Sequence, residues 1–93
     1  MLSTIPFHLE KISSADVDKE LLRAAIIAEL DAINLYEQMA NLATDGTLKT
    51  IFLDVAREEK THVGEFQALL LRQDREQQEE LIKGREEIDE LLL

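Results

Sequence analysis

A single strong turn signal divides two long helical stretches, and this arrangement most constrains the fold. The signal is Thr44-Asp45-Gly46-Thr47, the only one of its kind in residues 14–73. Upstream, residues 21–41 lack Gly and Pro and are rich in Ala, Leu, Glu and Ile, which favours an uninterrupted helix. A second helix is predicted over about residues 47–72. The chain should therefore fold back on itself as an antiparallel helical hairpin, to which we assign residues 13–73.

Residues suited to end or begin a helix stand at the predicted boundaries. Ser13 or Ser14 can cap the first helix, because a Ser side chain accepts a hydrogen bond from a free backbone N–H. At the turn, Gly46 can adopt the positive φ of a tight reversal. Thr47 or Asp45 can then cap the second helix.

Each predicted helix carries an apolar stripe whose members are alternately three and four residues apart, the spacing of a packing seam. The seams are Leu22, Ile26, Glu29, Ile33, Tyr36 and Ala40 on the first helix, and Leu48, Phe52, Val55, Glu59, His62, Phe66 and Leu69 on the second. Glu29 interrupts the first seam, and Glu59 and His62 interrupt the second. A buried carboxylate without a partner is costly, so these groups must be paired or bound to metal.

Glu59 and His62 form a two-ligand metal motif, because residues three apart on a helix project from one face about one turn apart. If the hairpin pivots near Thr44, Glu29 and Glu59 each lie roughly 22 Å from the pivot at ~1.5 Å per residue. The two carboxylates should therefore arrive at the same height. Ferritin-like bundles hold two irons with a Glu from each of two helices and a Glu-x-x-His motif from each of the other two.

One hairpin supplies half of that ligand set, with two carboxylates and one imidazole. Two copies related by a two-fold axis would complete the set and close a four-helix bundle around an inter-subunit di-iron centre. Apolar residues outside the seams, such as Leu30 and Ile51, predict a second interface and an oligomer larger than a dimer. The alternative is that the three polar residues form a buried hydrogen-bonded network that only fixes the register of the helices.

Composition narrows the class of protein and of partner. The 93 residues suit one small all-α domain, and 20 acidic against 10 basic residues give a formal net charge of −10. This charge argues against nucleic acid and anionic membranes as partners and suits cations such as iron. Because the chain has no Cys, disulfides, thiolate zinc sites and iron–sulfur clusters are excluded. The apolar runs are too short for a membrane-spanning helix or a signal peptide, so we expect an intracellular protein.

The stretch AELDAINLYEQMANLATDGTLKTIFLDVAREEKTHVGEFQALL resembles the encapsulated ferritins, small two-helix relatives of ferritin that work inside encapsulin nanocompartments. The resemblance covers residues 21–73 and implies hairpin pairs that form a ferritin-like four-helix bundle, with further assembly into a ring, commonly a decamer. The implied activity is that of a ferroxidase, which oxidises Fe(II) with dioxygen at a di-iron centre between subunits. The iron is then mineralised inside the encapsulin shell. We therefore expect a cytoplasmic homo-oligomer held within such a nanocompartment.

The resemblance also implies roles for individual residues. Glu29, Glu59 and His62 match the iron ligands and are the predicted catalytic and metal-binding set. Asp31 matches an acid of an outer metal-entry site, the alternative being a plain surface acid. Tyr36 matches a tyrosine near the di-iron centre, although its place on the seam is also that of a core residue.

Two segments flank the predicted hairpin. Residues 1–12 contain the only Pro and no sustained period, so we expect an extended N-terminal arm. Residues 74–93 predict an acidic helix capped by Asp74, with a formal charge of −5, that either docks on another subunit or lies in solvent. This segment does not resemble an encapsulin targeting peptide. The chain is therefore expected to be a shortened cargo protein or the ferritin-like domain of an encapsulin shell fusion.

Three functions remain open from the residues themselves. The first is a ferroxidase, and the second is a non-catalytic module in which the same ligands hold zinc or manganese to lock an assembly. The third is a purely structural helical assembly protein. Carboxylate oxygens with an imidazole suit Fe(II) and Mn(II), but zinc can bind the same ligands.

Overall fold

A computed structural model describes residues 16–93, which form three α-helices in chain order. They are α1 (Val17–Leu42), α2 (Gly46–Gln73) and α3 (Arg75–Leu92). This order confirms the predicted helical hairpin followed by a C-terminal helix. The predicted N-terminal arm, residues 1–12, lies outside the described residues.

The reversal between α1 and α2 takes three residues and does not use a glycine. Ala43 leaves the helix with an extended backbone, φ −66° and ψ 142°. The Asp45 side chain then accepts a hydrogen bond from the Thr47 N–H at 2.8 Å, which confirms Asp45 as the N-cap of α2. The prediction of a positive φ at Gly46 is wrong, because Gly46 is the first residue of α2 and no glycine in residues 16–93 has a positive φ.

The first helix begins later than its sequence suggested. Asp16 occupies the N-cap position, so the prediction that Ser13 or Ser14 caps α1 is wrong; both serines lie outside the described residues. The Asp16 side chain does not cap the helix and instead pairs with Lys19, one turn along, at 3.2 Å. An acidic residue at this end of a helix is stabilised by the helix dipole whether or not it caps.

The helices α1 and α2 pack against each other through small and aromatic residues. Ala40 and Ala56 are the most deeply buried apolar residues of the described chain, and an alanine at a contact lets two helix backbones come close. Tyr36 and Phe52 meet across the interface with ring centroids 6.2 Å apart, which is within the range of a favourable aromatic pair. The hairpin core is therefore thin, as expected for two helices without a third layer.

The packed face of α2 is rotated from the predicted seam. Leu48 and Leu69 were expected in the interface, but both are exposed, whereas Ala56 and Leu70 are buried. One residue turns a helix by about 100°, so a single partner helix covers only part of a stripe that has seven members between Leu48 and Leu69. Part of the predicted seam therefore faces outward.

The third helix leaves the hairpin sideways. The described chain measures 47 × 45 × 19 Å, and only a helix projecting across the hairpin axis gives two long dimensions of similar size. No residue of α3 is buried. Large apolar side chains lie exposed on all three helices: Leu21, Ile27, Leu30, Leu42, Leu48, Ile51, Leu53, Leu69, Leu81, Ile82, Ile88, Leu91, Leu92 and Leu93. No helix within residues 16–93 is long and apolar enough to cross a membrane.

Candidate metal centre

The hairpin brings the three predicted ligands into one cluster. Glu29 comes from α1, and Glu59 and His62 come from α2. One ligand atom from each residue lies within 4.8 Å of the others. The Nδ1 atom of His62 is 3.4 Å from the Glu59 Oε2 atom and 3.5 Å from the Glu29 Oε2 atom. The three side chains therefore converge, as predicted from the equal distances of Glu29 and Glu59 from the turn.

Burial differs among the three side chains in a way that bears on their chemistry. The Glu29 and Glu59 side chains are 18% and 19% exposed, whereas His62 is 44% exposed. The Glu29 Oε2 atom is buried and has no hydrogen-bond partner. The His62 Nδ1 atom, 3.5 Å away, is an ion-pair contact of this oxygen and forms no hydrogen bond with it. A buried carboxylate oxygen that accepts no hydrogen bond is strongly disfavoured unless a cation compensates its charge. Two carboxylates and an imidazole fit a divalent ion such as Fe(II) or Mn(II).

Contacts between α1 and α2 hold the register that brings Glu29 and Glu59 level. Lys60, the residue after Glu59, forms an ion pair with Glu37 of α1 at 3.3 Å. The Tyr36–Phe52 ring pair lies between the cluster and the turn. Because a slip by one residue would move every side chain by about 100°, these cross-helix contacts favour the one register in which the ligands meet.

The acidic neighbour of Glu59 does not belong to the cluster. Glu58 is exposed and lies beside Asp54 and Arg57. Arg57 donates a hydrogen bond to Asp54 at 2.5 Å, and this bond lowers the pKa of the Asp54 carboxyl and raises the pKa of Arg57. The charges on that face of α2 are thus paired with each other and not with the ligands.

The positions of Asp31 and Tyr36 bear on the alternative roles that the sequence left open for these two residues. Asp31 is 7% exposed, so the alternative that it is a plain surface acid is wrong. It does not join the cluster of Glu29, Glu59 and His62, and its role in metal entry stays a prediction. Tyr36 is half-buried and packs on Phe52 across the interface, and a role near a metal centre also stays a prediction.

The cluster opens on one side of the hairpin. His62 lies on the same side of α2 as Ile51 and Leu69, which are eleven and seven residues away, because both spacings bring a helix back to nearly the same direction. Both of these apolar residues are exposed. A half-buried histidine between exposed apolar side chains is typical of a surface that another helix covers. The arrangement suits a second hairpin placed over the open side.

One long-range contact of the hairpin has no local signal in the sequence. Arg23 of α1 donates a hydrogen bond to Asp74, 51 positions away, at 2.8 Å. Asp74 also caps α3 by accepting a bond from the Gln77 N–H at 3.0 Å, as predicted. The contact fixes the end of α2 to the start of α1.

Comparison with known proteins places the chain in a family. The family model described as rubrerythrin matches residues 20–91. A ferritin-like-encapsulin shell fusion protein from Pyrococcus furiosus is 67% identical over 72 residues, which are 77% of this chain and 21% of that protein. The encapsulin nanocompartment cargo protein EncC from Myxococcus xanthus is 39% identical over 80 residues, or 83% of this chain and 61% of that protein. The chain thus spans less than two thirds of either relative.

A solved structure agrees with the sequence relatives. The crystal structure of the encapsulated ferritin domain from Pyrococcus furiosus superposes with a TM-score of 0.83 at 56% identity, covering 98% of this chain and 95% of that one. The similarity extends over all three helices and not over the hairpin alone. The chain therefore belongs to the rubrerythrin family, as a ferritin-like domain of the encapsulated ferritin kind.

Proposed function

We propose that the chain is a ferroxidase domain that oxidises Fe(II) to Fe(III) with dioxygen at a di-iron centre shared by two copies. The observation that carries the proposal is the Glu29 Oε2 atom, which is buried without a hydrogen-bond partner among two further ligand atoms. Such an atom is best explained as a ligand to a cation. Iron is the substrate here, and the ligand set is what the chain contributes.

Pairing of two copies follows from the number of ligands. One chain offers two carboxylates and one imidazole, and a di-iron bundle site uses twice that number. A two-fold axis beside His62 would place the second set opposite the first and would cover the exposed Ile51 and Leu69. The remaining exposed apolar residues support a second interface, and we propose a ring of paired subunits such as a decamer.

The ligand atoms of the site favour the oxidation of Fe(II) to Fe(III). Carboxylate oxygens are hard donors, and four of these groups around two ions favour Fe(III) over Fe(II). Two Fe(II) ions at the shared centre each give one electron to one dioxygen molecule, which takes up two protons and leaves as hydrogen peroxide, and both ions leave as Fe(III). Glu29 and Glu59 bind the ions through oxygen. His62 binds through Nδ1, the nitrogen that faces both carboxylates.

The cellular setting is proposed from the relatives. One is a fusion to an encapsulin shell and the other is a cargo protein of an encapsulin nanocompartment. We assign this domain to iron storage in such a compartment, with the encapsulin shell as its partner. In the same assembly, Asp31 would draw iron toward the di-iron centre, and Tyr36 would lie near that centre.

Stopped-flow absorbance in the near ultraviolet tests the activity, with apo-protein mixed with Fe(II) in air. Fast oxidation at about one iron per chain is expected, since two irons lie between two copies. The variants Glu59→Gln and His62→Ala should reduce oxidation to the rate in buffer. Glu58→Gln is the matched control, because it removes the same charge one residue away on the exposed face and should keep the wild-type rate.

A metal-locked assembly is the second candidate, because zinc or manganese fits the same three ligands. Analytical ultracentrifugation on the same samples separates the two functions. Oxidation no faster than buffer, with metal changing only the sedimentation, would overturn the ferroxidase and establish the assembly module. A stable oligomer that neither binds nor oxidises iron would overturn both.

A further inference from the structure

One residue makes the bend between α2 and α3. Asp74 is the only residue between the two helices, with φ −132° and ψ 88°. Backbone hydrogen bonds continue on both sides of it, from the Asp74 N–H to the Leu70 carbonyl at 2.9 Å and from the Gln78 N–H to the Asp74 carbonyl at 3.2 Å. Both bonds have the spacing of a regular α-helix. The interruption is therefore confined to the peptide groups between these two bonds.

The sequence around Asp74 does not require a bend. Residues 65–83 contain no Gly or Pro and are mostly Gln, Glu, Leu and Arg, which are good helix formers. A continuous helix over residues 46–92 would be about 70 Å long. The longest dimension of the described chain is 47 Å. The bend is thus imposed on a stretch whose local preference is a straight helix.

Both hydrogen bonds of the Asp74 side chain favour the bent form. One carboxylate oxygen accepts from the Gln77 N–H at 3.0 Å, which is the N-cap bond of α3. In a continuous helix the same N–H would donate to the Gln73 carbonyl, so the cap bond exists only in the bent form. The other oxygen accepts from Arg23 at 2.8 Å and ties the junction to α1.

We infer that Asp74 is a two-state hinge: bent when its side chain caps α3 and pairs with Arg23, and straight when these bonds are lost, so that α2 and α3 merge into one helix. This inference is independent of the proposed ferroxidase activity. Straightening would move the far end of α3 by a distance comparable to its own length of about 27 Å. The exposed apolar residues of α3, including Ile88 and Leu91, would then face a different partner surface.

A distance measurement within one chain tests the hinge. The sequence has no Cys, so spin labels on Thr61→Cys and Glu87→Cys, both exposed positions, report one pair of sites. Labelled chains are diluted with unlabelled chains in the assembled protein, and the distance is read by pulsed electron paramagnetic resonance. A straight helix places these sites about 39 Å apart, and a right-angled bend places them about 28 Å apart.

Substitutions at Asp74 and Arg23 distinguish the contributions of the two hydrogen bonds of the Asp74 side chain. Asp74→Ala removes both and should shift the distance to about 39 Å with helical circular dichroism retained. Arg23→Gln and Asp74→Asn keep a capping side chain but lose the ion pair, and both should populate the two distances together. Arg57→Gln is the control, because it removes an exposed ion pair within α2 and should leave the short distance unchanged.

Two outcomes would overturn the hinge. An unchanged short distance in Asp74→Ala would mean that other contacts set the bend. A broad distance distribution with loss of helical signal would mean that α3 unfolds instead of merging with α2.

Discussion

Replacing Glu29 with Gln should raise the stability of the metal-free protein and remove most of the stability that the protein gains on binding metal. Without metal, the Glu29 Oε2 atom is buried without a hydrogen-bond partner, and a ligand oxygen of Glu59 lies within 4.8 Å. Gln has the same shape and no charge, and its amide can donate a hydrogen bond to Glu59. The substitution therefore removes a repulsion and supplies a donor without creating a cavity.

The size of the effect follows from the cost of the unpaired atom. A buried polar group without a partner costs about 1–3 kcal/mol, and Glu29→Gln should raise the free energy of unfolding of the metal-free protein by a similar amount. For a domain of this size, each kcal/mol corresponds to about 4–8 °C in Tm. With metal at 100 times its Kd, the wild type gains about 2.7 kcal/mol from binding, and the variant, which lacks the ligand charge, should lose most of that gain.

Thermal unfolding followed by circular dichroism measures both effects. The samples are compared at one protein concentration, in chelator and in anaerobic Fe(II). Glu58→Gln is the control, and as an exposed substitution it should stay within about 0.5 kcal/mol of the wild type in both conditions. A lower Tm for Glu29→Gln in chelator, or an undiminished rise with Fe(II), would refute the interpretation of Glu29 as a charged ligand whose Oε2 atom accepts no hydrogen bond.

Three further predictions concern the rest of the fold. The Gln77 N–H and the Arg23 guanidinium hold the pKa of the Asp74 carboxyl below its ordinary value of 3.8. The ionised carboxyl therefore contributes its full stabilisation above pH 3.8, and this stabilisation is lost as the pH falls through the lower pKa of the folded state. The protection factors of the α3 amides against hydrogen exchange should therefore be unchanged between about pH 5 and 8 and should fall only below about pH 4, and a fall at higher pH would contradict this. Gly64→Ala should raise stability by about 1 kcal/mol in chemical denaturation, since an added Cβ meets nothing within 4 Å, and a fall would reveal a neighbouring copy at that position. Ala56→Leu should lower the free energy of unfolding by about 1–3 kcal/mol, because the buried alanine lets α1 and α2 approach each other. The same substitution should weaken metal binding measured by calorimetry, and an unchanged metal affinity would show that helix spacing does not position the ligands.

The parts of the fold that depend on local patterns could be predicted from the sequence. Helix position followed from residue preference and from the single break near Asp45. The convergence of Glu29, Glu59 and His62 followed from helix geometry, because an antiparallel hairpin places residues equally distant from the turn side by side. The convergence was predictable because the heights of the three side chains follow from the rise per residue of each helix and not from long-range packing.

The parts that depend on tertiary contacts could not be predicted in the same way. Gly46 was expected to make the turn, but the extended backbone of Ala43 and the Asp45 cap reverse the chain without a positive φ. Leu69 shares the spacing of the seam yet is exposed, because one neighbouring helix covers less than a full stripe. The contact between Arg23 and Asp74 joins residues 51 positions apart, and no local pattern marks such a pair.

Because only three residues connect α1 and α2, one hairpin should fold much faster than two chains associate. Short loops close in about 10–100 ns, and helical proteins with mostly local contacts fold in microseconds to milliseconds. At micromolar concentration, two chains that associate at about 10⁵–10⁷ M⁻¹s⁻¹ meet only after roughly 0.1–10 s. Each chain should therefore hold its own three side chains in place long before a partner arrives. The rate at which the proposed two-chain centres form should then be second order in the chain, and in newly made protein it should rise with the level of expression.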